Sequence, residues 1–248
     1  MAASRLLAGA SGYSYKEWKA DFYPADIKPD AMLAWYSERL PTVEINNTFY
    51  RLPKVDVLET WAGATPTDFR FAIKASRRIT HLARLKADTA ADALAFLYRN
   101  LVALGGKRGP VLFQLPPFLK KDLPRLTEFL QLLPTGHEAA FEFRNDTWFV
   151  DDVYDALKTA GAALCLSERE DSTLPPLVQT ATWGYVRLRL ENYSDQDLQQ
   201  WADRLAATTW RQVHVYFLHE PTAPGYAKTL MKFAPQQVEE RSQEQGAA

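Results

Sequence analysis

The sequence predicts an α/β fold, a (β/α)8 TIM-type barrel with an irregular sixth unit, and two patterns carry that prediction. About eight short β-like runs recur along the 248 residues, most of them followed by a loop and a stretch of helical periodicity, which is the order of parallel βα units. No internal repeat, low-complexity tract or long linker interrupts the series, so one barrel domain over 1–235 is expected, followed by a polar tail over 236–248. An open doubly wound sheet is the alternative. Against its dinucleotide-binding form, "GASGYS" after the first run has two glycines but not the GxGxxG spacing.

In chain order, the first strand is "LLAGA" (6–10), an apolar run stopped by Ser11 and Gly12. "KPDAMLAWYSERL" (28–40) reads as a helix, with proline near its first turn and Met32, Leu33, Tyr36 and Leu40 spaced by three to four. "TVEIN" (42–46) is the second strand and "NTFYRLP" the loop beyond it; "RFAIKA" (70–75) is the third. The clearest helix is "KADTAADALAFLYRNLVALGG" (86–106), rich in alanine and leucine and closed by a double glycine suited to a left-handed C-terminal cap. "PVLFQL" (110–115), "AAFEFR" (139–144) and "AALCLS" (162–167) follow as strands four to six. After strand six "EREDSTLPPLVQTAT" carries two consecutive prolines and no helical pattern, hence the irregular unit. "GYVRLR" (184–189) and "VHVYFL" (213–218) complete the strands. Between them "SDQDLQQWADRLAAT" (194–208) places Leu198, Trp201 and Leu205 on one helix face behind a serine or aspartate N-cap.

Composition narrows the function classes. With 29 basic and 30 acidic side chains the net charge is −1, so no global field favours non-specific nucleic-acid binding and any cationic site must be local. The single cysteine, Cys165, lies in an apolar strand, which excludes intrachain disulfides and cysteine-based zinc sites. No apolar run approaches the roughly 20 residues needed to cross a bilayer, and the N-terminus lacks a secretory pattern, so a cytoplasmic protein with no membrane partner is expected.

In a parallel βα protein, ligands meet the C-terminal ends of the strands, and here those ends are polar. Glu44 and Glu142 are candidate catalytic carboxylates, an acid/base pair on different strands. Ser11, Tyr13, Asn46, Tyr50, Lys74, Gln114, Arg144, Trp148 and Arg187 are candidate substrate-binding residues: cations for an anion, carboxamides for hydroxyls, aromatics for a sugar ring or base. Side chains two apart share a strand face, so Glu44 with Asn46, Glu142 with Arg144 and Arg187 with Arg189 form same-face pairs. Any one of these charges has an equally good reading as a buried structural ion pair. Their convergence at many strand ends favours a site, because unpaired buried ions cost several kcal/mol each. The four histidines, His81, His137, His214 and His219, form no HxH or HExxH pattern, so no metal is expected, and no pattern identifies a cofactor. His81 lies in a loop from which it can reach the mouth, whereas His137 precedes a strand and belongs to the opposite face. No GxSxG elbow accompanies Ser11 or Ser167.

The motif series "GASGYSYKEW", "TVEINNTFYRLP", "DFRFAIKASRRITH", "GPVLFQLPPF", "FEFRNDTWF" and "YVRLRL" resembles that of the YecE-like family, the domain of unknown function numbered seventy-two. The resemblance runs in collinear order from about Gly9 to about Tyr226 and implies a TIM-type barrel; it implies no activity. It implies a motif set of Ser11, Gly12, Glu44, Asn46, Thr48, Phe49, Tyr50, Lys74, Gln114, Pro116, Glu142, Arg144, Trp148 and Arg187. This chain departs from the family pattern at Arg189 and at Leu218, His219 and Glu220. The expected function is an enzyme, a hydrolase or isomerase, acting on a small phosphorylated, sugar-containing or nucleotide-type ligand. The alternatives are a non-catalytic module for a nucleotide or short nucleic acid, and a protein-contact surface.

Overall fold

The computed structural model describes residues 5–168, 174–219 and 221–234. Eight parallel strands pair in sequence order: β1 (Arg5–Ser11), β2 (Thr42–Ile45), β3 (Arg70–Lys74), β4 (Arg108–Gln114), β5 (Ala139–Glu142), β6 (Ala163–Ser167), β7 (Trp183–Leu188) and β8 (Gln212–Phe217). The sheet closes because β8 also pairs with β1, from Arg5 opposite Gln212 to Ala10 opposite Phe217. That closure settles the barrel over the open sheet.

Among the described residues seven α-helices alternate with the strands: α1 (Met32–Ser37), α2 (Val55–Gly63), α3 (Ala87–Leu101), α4 (Leu123–Gln131), α5 (Asp151–Thr159), α6 (Asp195–Ala206) and α7 (Ala223–Phe233). The missing helix is the expected one. Between β6 and β7 the described residues form none, since Pro175 and Pro176 cannot supply helical N–H donors. Local chemistry sets other boundaries: Ser194 caps α6 in a reciprocal capping box with Asp197, and Gly105, at φ 53°, turns the chain out of α3 toward β4. The polar tail expected over 236–248 lies outside the described residues.

Two layers of core hold the barrel. Outside, Phe113, Phe141 and Phe129 pack between strands and α4, with Phe113 and Phe141 stacked at 5.2 Å. Inside, Trp183, Tyr185 and Tyr216 face Ala72, Ala140 and Ala163, with Leu112 and Cys165 filling the remainder. A barrel of eight strands encloses little volume, so large rings on one wall demand small residues on the other. This plug is buried and closes the barrel below its C-terminal end. Everything polar on the inward face above it, from Ser11 round to Arg187, is therefore displaced to the mouth.

Candidate active site

Strand register decides which side chains meet. Ser11 lies opposite Glu44, Gln114 opposite Glu142, and Ser167 opposite Arg187, so these residues occupy neighbouring inward positions at the strand ends. Lys74 ends β3 with the same parity as inward Ala72. The pleat puts all of them on one wall-lining ring, with Asn46, Arg144 and Arg189 one or two residues beyond the strands.

At the centre, Arg187 is clamped between two carboxylates. Its Nη1 donates to Glu142 Oε2 at 2.6 Å and its Nη2 to Glu44 Oε1 at 2.9 Å, with all three residues at most 2% exposed. Glu44 also accepts from Ser11 Oγ at 2.6 Å, Asn46 Nδ2 at 3.2 Å and Tyr185 OH at 2.7 Å; Glu142 accepts from Gln114 Nε2 at 2.9 Å. Asn46 Nδ2 donates to Ser11 Oγ as well. Burial alone pushes both carboxyls up, but the Arg187 charge and these donors outweigh it and hold both below the ordinary carboxylate range. Burial likewise works against the charged Arg187, yet the two carboxylates raise its pKa well above the usual value. The expected division into one acid and one base therefore meets a physical obstacle: both carboxylates are ionised, so neither is a proton donor near neutral pH. Their role in this geometry is to fix the guanidinium.

Around the clamp stand cations with spare donors. Among the described residues Lys74 Nζ has no hydrogen-bond or ion-pair partner; it lies over the Phe49 ring, 4.8 Å from its centroid. Burial depresses its pKa first, and the nearby Arg187 charge adds to that, against partial support from Glu44 and Glu142. Arg189 Nη2 is 3.8 Å and Arg144 Nε 4.0 Å from Glu142 Oε1, both loose contacts. Arg187 Nε, Arg189 Nε and Asn46 Oδ1 are buried without a partner among the described residues. Buried polar groups are nearly always satisfied, so three orphans in one place set this region apart.

Two groups in this neighbourhood escaped or only grazed the sequence reading. Glu168, 5% exposed just past β6, accepts from the Arg189 backbone N–H at 2.8 Å and from the Tyr193 hydroxyl, adding a third carboxylate. Its signal in the sequence was hidden by the charged run "SERED". His81 does approach the mouth: the residues Arg78–Leu82 form a single π-helical turn, and the His81 ring sits edge-on to Phe49 at 4.9 Å. Burial, then the charges of Lys74 and Arg144, lower its pKa, keeping the imidazole neutral near pH 7.

Other expected ligand residues lie elsewhere. Trp148 is buried on the outer side of the barrel, stacked on Phe143 at 4.7 Å, with Nε1 donating to the Leu119 carbonyl at 2.7 Å; both contacts turn it away from the mouth. Tyr50 is 73% exposed and lines a flank cavity of about 840 Å³ between the β2–α2 loop and α3, beside the mouth and not in it. Tyr13 shares a smaller cavity of about 200 Å³ with Ser11 and Asn46 at the β1–β2 edge, its ring packed edge-on against Trp61 at 6.3 Å. His219 is hydrogen-bonded to Thr222 within its own loop. Among the described residues no group of three His, Cys, Asp or Glu side chains is arranged to hold a metal ion. No helix among them is long and apolar enough to cross a membrane.

Comparison with known proteins agrees with this fold. The family model described as "Protein of unknown function DUF72" matches residues 7–247. Over 115 residues the chain is 33% identical to the UPF0759 protein YecE of Escherichia coli (strain K12), covering 46% of this chain and 42% of that protein. The match thus spans less than half of that relative's length. A longer match, 24% identical over 233 residues, joins it to the UPF0759 protein YunF of Bacillus subtilis (strain 168), covering 86% of this chain and 80% of that one. Among solved structures, a DUF72 family protein from Thermotoga maritima superposes with a TM-score of 0.76 at 22% identity, over 92% of this chain and 97% of that one. One from Enterococcus faecalis gives 0.75 at 16% identity, over 94% and 100%.

Proposed function

This chain belongs to the DUF72 family, and we propose that its barrel mouth is the site of an enzyme acting on a small phosphorylated, sugar-containing or nucleotide-type substrate. The observation that carries the reading is the surplus of unpaired donors: among the described residues Lys74 Nζ, Arg187 Nε and Arg189 Nε are all without partners around one buried clamp. Among the described residues four cations, Lys74, Arg144, Arg187 and Arg189, face three carboxylates, Glu44, Glu142 and Glu168. An anion brought into this ring gains charge-assisted hydrogen bonds and neutralises the excess. Fixed by two carboxylates, the guanidinium needs no reorganisation to meet it, which is the arrangement that stabilises developing negative charge. Asn46 Oδ1, a free acceptor, suits a ligand hydroxyl. The neutral His81 is the group placed for proton transfer, in the part first expected of the glutamates.

A second reading, non-catalytic binding of a nucleotide or short nucleic acid, draws on one feature of the rim. Arg84 stacks over the exposed Phe118 ring at 5.2 Å, a platform suited to an unpaired base. Thermal-shift measurements with inorganic phosphate, sugar phosphates, nucleoside monophosphates and a short single-stranded oligonucleotide separate the two. Stabilisation by the small phosphates, weakened about tenfold or more in Arg144→Ala and Arg189→Ala, is the expected result. A response confined to the oligonucleotide and abolished at moderate salt supports the second reading instead; no response to any anion refutes both.

A further inference from the structure

Lys74 is anomalous within the ring. The other central charges are bound to one another: Glu44 and Glu142 are both spent on Arg187, and Glu168 on the Arg189 backbone and Tyr193. Lys74 Nζ alone faces the mouth half-buried, on the inward side of β3, with an aromatic ring beneath it and no hydrogen bond among the described residues. An ammonium kept for structure is ordinarily paired when buried. A desolvated amine beside other cations is how lysine becomes a nucleophile.

From this geometry we infer that Lys74 forms an imine with a small carbonyl compound carrying an anionic group, such as a keto acid or a keto or aldehyde sugar phosphate. The inference rests on the anion-binding reading above and names the substrate class and the bond made. The anion would sit against Arg144 and Arg189, which places a carbonyl carbon between them and Lys74 Nζ. The unprotonated amine attacks that carbon; the C–N bond forms as the carbonyl π pair moves to oxygen, which takes up a proton. Nitrogen gives up one of its two protons to reach the neutral carbinolamine, which loses its hydroxyl as water as nitrogen gives up the second, so amine plus carbonyl yields imine plus one water. His81 abuts the same Phe49 ring, and its Nε2 has no partner among the described residues, so it is placed to carry protons in both halves of the step. The groups that set the amine's protonation are Glu44 on β2, Glu142 and Arg144 on and after β5, Arg187 on β7, and His81 on the π turn. Burial first and then the Arg187 charge lower the amine's pKa, so the free base is more accessible than on an exposed lysine.

The test is reductive trapping. The full chain is incubated at pH 7 with pyruvate or dihydroxyacetone phosphate and sodium cyanoborohydride, then digested with trypsin. An adduct on Lys74 blocks cleavage there, so the peptide 71–77, "FAIKASR", appears uncut with the added mass. Lys74 is expected to be labelled at least tenfold more than any other lysine, with the preference shrinking toward pH 10 as exposed lysines deprotonate. Inorganic phosphate is expected to suppress it, and Lys74→Arg to abolish the peptide's adduct. Labelling spread evenly over the lysines, or absent from Lys74 while phosphate still stabilises the protein, overturns the imine and leaves the anion site standing. Dominant Lys74 labelling indifferent to phosphate supports the imine and counts against the anion site.

Discussion

Arg187 shows what a single residue is asked to do here. A guanidinium at 2% exposure has lost its hydration, and only two carboxylates at 2.6 and 2.9 Å offset that cost. Removing one member leaves uncompensated buried charge, so Arg187→Met is expected to destabilise the fold by about 3–5 kcal/mol in urea unfolding. Adding Glu44→Gln and Glu142→Gln to that variant removes the orphaned charges and is expected to recover most of the loss. If Arg187→Met unfolds like the parent, the clamp contributes nothing to stability and its description as the fixed centre of the site fails. At this scale the sequence identified residue types and faces well. Strand parity pairs Glu44 with Asn46 and points to Glu142 and Arg187, the polar end of strand four adds Gln114, and register brings them together. Trp148 was misjudged because an aromatic following a strand gives no sign of which side of the wall it packs on; Phe143, of outward parity, captured it.

Among the elements, the turns that leave the strands complete the mouth that the strand ends line. Gly12 ends β1 at φ 111°, and an added Cβ would meet the Tyr15 hydroxyl at 2.5 Å while that hydroxyl donates to the Ser11 carbonyl at 2.7 Å. Only glycine combines that backbone with that contact. Gly12→Ala is accordingly expected to lose about 1–3 kcal/mol, read as a fall in melting temperature, and to displace Ser11 from Glu44; an unchanged melting temperature would show that the turn relaxes freely. The β3–α3 connection is the other case. Its π turn, followed by Arg84 and Leu85 at φ 53° and 62°, folds His81 back over Phe49. Strand positions were legible because alternation has a period of two. A π turn has no such period in the sequence, so the arrival of His81 at Phe49 was open to reach alone.

For the whole molecule, closure of the barrel buries titratable groups at both ends, and the lower end is the one that governs acid stability. His214 is fully buried beneath Tyr216, and the Gln212 amide Nε2, which can only donate, lies 2.7 Å from its Nε2. That nitrogen must therefore accept, which requires the neutral ring. Glu138 Oε2 is 3.7 Å away, but burial pushes its own carboxyl up, so it is a weak counter-charge, and desolvation drives His214 down to about 3. A histidine depressed in the folded state contributes stability that is complete above its unfolded pKa of about 6.5 and lost as pH falls from there toward 3. The parent is expected to lose about 1.4 kcal/mol per pH unit to this group alone below pH 6. His214→Phe should flatten the slope of unfolding free energy between pH 6 and 4.5 by that amount; an unaltered slope would mean the ring is protonated in the native state. The depressed carboxylates Glu44 and Glu142 act lower, their contribution being lost as pH falls below about 4.5.

By itself the sequence determined the eight strands in chain order, the absence of a helical pattern after the sixth, and which side chains share a strand face, because hydrophobic periodicity and turn residues are local properties of the chain. It determined equally that the C-terminal strand ends are polar. Only the tertiary structure decided which of those polar groups satisfy one another: that two glutamates close on one arginine, that Lys74 has no partner among the described residues, and that Trp148 belongs to the outer core. Pairing across a barrel depends on register and on the volume left by the rings beneath, and both are set by strands more than a hundred residues apart, as with Glu44 and Arg187 at a separation of 143.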